Sequence, residues 1–81
     1  MGTAKTSLEE SVDQAINNLE TIADQIRVKL HLASMDANVV WNEKMEPRLF
    51  EARAHASEAK VASKLAIEDA VKAFEAFARS L

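Results

Sequence analysis

Apolar side chains recur in steps of four and three residues along almost the whole chain. In the first half the row is Val12, Ile16, Leu19, Ala23, Ile26, Leu30, Ala33, Ala37 and Val40; in the second it is Leu49, Ala52, Ala56, Ala59, Ser63, Ala66, Ala70, Ala73 and Phe77. That alternation keeps one stripe of a helix turned toward a neighbour through a shallow left-handed supercoil. The first seam is bulky and the second is mostly alanine, so the two complement each other and let their helices approach closely. The pattern predicts an all-α fold, an antiparallel two-helix hairpin that is coiled-coil-like with an alanine-rich seam.

The ends of the helices are read from their capping residues. Ser7-Leu8-Glu9-Glu10 has the form of a capping box, in which the serine hydroxyl and the glutamate carboxylate satisfy amide groups that the first turn leaves open. Helix 1 is therefore expected to start at about Leu8, after a disordered leader over residues 1–7. Ser34, Asp36 and Asn38 lower the local helix propensity, but neither Gly nor Pro interrupts the run before Trp41. Asn42 can take the left-handed conformation that closes a helix, and Pro47 suits a first helical turn, where its missing N–H costs nothing. Helix 1 over about 8–41, a turn over about 42–46 and helix 2 over about 47–80 follow, with arms of about 50 Å each. The competing reading, a single helix kinked at Pro47, gives a bent rod of about 110 Å; the near-equal arms favour the hairpin.

A hairpin needs one apolar stripe on each helix, and this chain carries more. Val28, Leu32, Met35 and Val39 form a second row in the first half, about 200° around the helix from the seam. Ile67, Val71, Phe74, Ala78 and Leu81 form another beside the alanine seam. Leaving both in water forgoes on the order of 10 kcal/mol. The surplus predicts that the hairpin dimerises into a four-helix bundle, each turn-end row lying on the other copy's open-end row. The predicted contact residues are Val28, Leu32, Met35, Val39, Trp41, Ile67, Val71, Phe74 and Leu81. The partner expected is a second copy, with a helical protein partner as the other form of the same reading.

Composition narrows the function classes. The 81 residues contain one Gly, one Pro and no Cys, which rules out a disulfide framework and agrees with a cytoplasmic setting. Thirteen acidic and ten basic residues, a net charge of −3, are interspersed without a basic stripe, so no nucleic-acid partner is expected. An amphipathic protein lying on a lipid surface is the alternative function; its polar faces are not rich in Lys and Arg, which counts against a membrane. Met1-Gly2-Thr3-Ala4-Lys5-Thr6 matches an N-acylation pattern and is read as part of the leader.

Sites for chemistry are scarce. His55 stands four residues after Glu51 and three before Glu58. Di-iron bundles use a Glu-x-x-His spacing of three, so His55 is read as a surface residue in contact with glutamate. His31, between Leu30 and Leu32, is read as an edge residue, and Ser63 as a seam position chosen for small size. Trp41 is expected to close the end of the bundle against Met45 and Phe50. No acid–base pair or cofactor motif emerges, and the sequence predicts a non-enzymatic structural or protein-interaction module without cofactor or metal.

Overall fold

The computed structural model describes residues 7–58 and 60–81; residues 1–6 of the expected leader over 1–7, with the acylation pattern at Gly2, and Ala59 of the alanine seam lie outside them, and Ser7 is the first residue of the first helix. Every regular element among the described residues is helical. Helix α1 spans Ser7–Leu30, α2 Met35–Val40 and α3 Glu46–Ala56; a π-helical turn over Trp41–Met45 joins α2 to α3 without a break, and α4 spans Val61–Ser80. We call the continuous run from Met35 to Ala56 the middle helix. Three helices therefore pack together, with a longest dimension of 48 Å.

Side-chain contacts fix their directions. Arg53 Nη2 donates to Glu20 Oε1 at 3.2 Å and the Arg27 guanidinium lies over the Trp41 ring, so the middle helix runs antiparallel to α1. Trp41 meets Phe74 and Phe77, and Ala52 lies across a small cleft from Ala66 and Ala70, so α4 runs antiparallel to the middle helix. The Lys29 ammonium donates to the Ala78 carbonyl at 3.4 Å, bringing the C-terminal ends of α1 and α4 together. A cation there also opposes the partial negative charge at the end of α4.

The chain reverses earlier than the sequence pattern predicts. The turn expected at 42–46 is helical, and the first reversal is instead at His31–Ser34. Polar side chains do here what Gly does in many helix ends. Ser34, with φ −66° and ψ 163°, accepts the Ala37 N–H on its hydroxyl and caps α2. Asn38 Nδ2 donates to the Leu30 carbonyl at 3.3 Å, which also accepts the Ala33 N–H, and to the Ser34 carbonyl at 3.0 Å, tying α2 to the end of α1. The expected second arm is also interrupted. After Ala56 the Ser57 hydroxyl bonds the Ala54 carbonyl at 2.7 Å, and the backbone is extended at Lys60 before α4 begins.

This second break resolves most of the apolar surplus within one chain. In a three-helix arrangement each helix touches two neighbours and needs a broad apolar face rather than one stripe. On α4 the alanine seam and the adjacent row merge into such a face: Ser63, Ile67, Ala70 and Phe74 are buried, with Val71, Ala73, Phe77 and Ala78 packed at its edges. The α1 seam packs as predicted, with Val12, Leu19, Ala23, Ile26 and Leu30 buried, although Ala15 rather than Ile16 takes the more enclosed place.

The π turn has its origin in the same row. On the middle helix, with Val40 packed beside them, Ala37, Trp41, Met45, Leu49, Ala52 and Ala56 face the core, and from Ala37 to Leu49 this row takes three steps of four in succession. On a regular α-helix each step of four drifts about 40°, and three would carry Leu49 off the core face. One extra residue in the wide turn absorbs the drift, and the Glu46 N–H bonds the Trp41 carbonyl five residues back. Pro47, which has no N–H and in a regular helix would press on the Glu43 carbonyl, sits just after this turn in the first turn of α3. The helix thus passes through Pro47, and the rod expected from that alternative does not form because the chain reverses on either side.

Candidate functional site

The predicted contact residues separate into two groups. Ile67 and Phe74 are fully buried among the chain's own helices, and Val71 packs against the same core. Their assignment to a spare face is therefore corrected: the fold back at 57–60 covers them. Trp41, 3% exposed, is also interior. It meets Phe74 edge to face at 5.5 Å between ring centroids and stacks on Phe77 at 6.3 Å, rather than on Phe50, which is exposed under the Arg53 guanidinium. Its indole does close the bundle, but as a part of the core.

The other group remains outside. Val28 is 70% exposed, Leu32 96%, Met35 85% and Val39 49%, and Leu81 is partly open. The last turn of α1 carries Val28, the first reversal Leu32, and α2 Met35 and Val39. The end of α4 lies beside the end of α1 through the Lys29–Ala78 bond, so Leu81 shares this end of the molecule. Of the predicted row only Val28 is on α1; Leu32 lies in the reversal and Met35 and Val39 on α2, so the four do not form one face of a single helix. Phe50, Val61 and Leu65 are further exposed apolar side chains, carried by α3 and the start of α4.

The polar candidates fall on the surface. His55 Nδ1 is 3.3 Å from Glu58 Oε1, both side chains about half exposed, as the surface reading predicts. His31 is exposed in the first reversal. Among the described residues no group of three or more His, Asp or Glu is placed to hold a metal ion. A groove of ≈ 540 Å³ runs between α1 and α4, where Ser11, Gln14 and Asn18 face Lys64, Glu68 and Lys72. Its charges are of both signs and it opens broadly to solvent. No described helix is long and apolar enough to cross a membrane.

Ser63 is the exception to a satisfied interior. It is 1% exposed and its hydroxyl has no hydrogen-bond partner. A buried hydroxyl without a partner costs about 1–3 kcal/mol in lost hydration, and alanine also has the higher helix propensity. Ser63→Ala is expected to raise stability by about 1 kcal/mol, or about 4–8 °C in Tm for a domain of this size. A thermal melt followed by circular dichroism measures it; a lower midpoint would mean that the hydroxyl has a bonding role.

Comparison with family models, with curated proteins and with solved structures found no match to this chain.

Proposed function

We propose that this chain is a non-enzymatic protein-interaction module that self-associates through the apolar row Val28, Leu32, Met35 and Val39. The observation that carries the reading is the exposure of Leu32 and Met35, 96% and 85%, the most open of the large apolar side chains described. Covering a side chain of this kind is favourable by about 1.5–3 kcal/mol, so four of them are a substantial driving force for association. Their placement at one end, near a reversal, leaves them accessible without any opening of the core.

Leu32→Glu combined with Met35→Glu tests it. Both positions are exposed, so helicity and Tm are expected to change little, whereas self-association weakens by about a hundredfold or more. Sedimentation equilibrium reads the mass of each chain over a concentration series. A wild-type mass of one chain throughout would refute self-association, and co-sedimentation with lipid vesicles that the double substitution abolishes would assign the row to a lipid surface instead.

A further inference from the structure

We propose that two copies of this chain exchange α1: the first reversal straightens, and each α1 packs in the other copy's bundle. The inference is independent of the exposed row, because it rests on the opposite face of the helix. Ile26, Leu30, Ala33, Ala37 and Val40 keep their four-three spacing straight through His31–Ser34. The reversal thus interrupts a seam that the sequence continues.

Nothing covalent or conformational in the backbone compels the turn. His31, Leu32, Ala33 and Ser34 include neither Gly nor Pro, and each can enter a helix. Backbone bonds from the His31, Leu32 and Ala33 N–H groups to the Val28, Lys29 and Leu30 carbonyls shape the turn, and two polar side chains tie it to α2: the Ser34 hydroxyl on the Ala37 N–H, and the Asn38 amide on the Leu30 and Ser34 carbonyls. In a straight helix the backbone amides and carbonyls of residues 30–37 satisfy one another, so the role of both side chains disappears.

The register permits exchange without new packing elsewhere. In the monomer α1 lies antiparallel to the middle helix, with Arg27 over Trp41 and Glu20 bonded to Arg53. Two straightened helices lying antiparallel about a two-fold axis between residues 34 and 37, where those two pairs are centred, bring α1 against the second copy's middle helix in the same direction. Exchange of an identical element in this way is an accessible route to a dimer, and short connections favour it. The straight helix from Ser7 to Ala56 is about 75 Å long, against 48 Å for the longest dimension of the monomer.

Crosslinking tests the exchange directly, because the chain has no cysteine of its own. Glu20→Cys and Arg53→Cys place two thiols across the α1–α3 contact, to be joined by a short bismaleimide. A monomer, or a dimer formed only through exposed faces, gives a crosslink within one chain; an exchanged dimer gives a covalent two-chain product on a denaturing gel. In a sample concentrated, warmed near its unfolding midpoint and cooled, the two-chain product is expected. Ser34→Ala with Asn38→Ala removes the closing bonds and raises its fraction about tenfold or more. Ser34→Pro suits the closed turn, whose φ at that residue is −66°, but breaks the straight helix, and it suppresses the product. One-chain crosslinks alone in the Ser34→Ala, Asn38→Ala chain, with its helicity retained, would overturn the exchange. Failure of the exposed-row reading shows differently: a dimer mass that Leu32→Glu and Met35→Glu leave unchanged.

Discussion

Phe74→Ala is expected to remove about 3–5 kcal/mol of stability. Phe74 is fully buried, and its ring stands edge to face on Trp41 at 5.5 Å. It therefore joins α4 to the middle helix at the end where the aromatic side chains gather. Small domains have total stabilities of about 5–15 kcal/mol, so the loss takes a large share of what an 81-residue chain possesses. Urea unfolding followed by circular dichroism is expected to show a much lower midpoint with the slope retained. Phe74→Leu keeps most of the volume and is expected to cost about 1.5 kcal/mol or less. A cost below about 1 kcal/mol for Phe74→Ala would show that α4 does not close on Trp41 as described.

The second large effect concerns the π turn. Deleting Glu43, an exposed residue within it, changes the middle-helix row from steps of 4-4-4-3-4 to 4-3-4-3-4, the spacing of a regular helix. Packing alone would welcome the change. Pro47 opposes it, because in a regular helix its ring strikes the carbonyl four residues back and one hydrogen bond is lost, a cost of about 3 kcal/mol. Deletion of Glu43 is therefore expected to destabilise the wild-type chain by about 3 kcal/mol, and to be nearly neutral when combined with Pro47→Ala. Equilibrium unfolding of the four chains in a double-mutant cycle gives the coupling directly. Equal destabilisation with and without Pro47 would mean that the wide turn serves the packing of Trp41 and Met45, and not the proline.

What the sequence revealed, and what it concealed, follows from the kind of signal each element carries. The α1 seam from Val12 to Leu30 was legible because long four-three spacing has few alternatives to a helix. The first reversal was hidden because Ser34 and Asn38 act through side-chain hydrogen bonds, while their intrinsic propensities fall only slightly below those of their neighbours. Ser34, Asp36 and Asn38 were visible as weak points, yet weak points become ends only when the folded chain gains from turning there. The gain came from the rows themselves. By spacing alone the two adjacent stripes on α4 look like one seam and one spare face, whereas their adjacency is what a helix between two neighbours requires. The spacing of Val28, Leu32, Met35 and Val39 set them apart from the seam, but the reversal at His31–Ser34 divides them between α1, the turn and α2, which spacing alone did not show. The three consecutive steps of four at Ala37, Trp41, Met45 and Leu49, immediately before a proline, were the available sign of the π turn.

Trp41 has a consequence for spectroscopy. It is the chain's one tryptophan, and there is no tyrosine, so near-ultraviolet excitation addresses a single indole. That ring is enclosed by Phe74 and Phe77 of α4 on the middle helix, with the Arg27 guanidinium of α1 over it at 5.6 Å. Shielded from mobile water dipoles, the excited indole emits to the blue, and it shifts to the red when any of the three helices departs. The fluorescence of the unlabelled protein thus reports the assembly of all three helices in one signal. An exchanged α1 supplies the same guanidinium from the second copy, so the emission follows folding and is unaffected by which chain provides the helix.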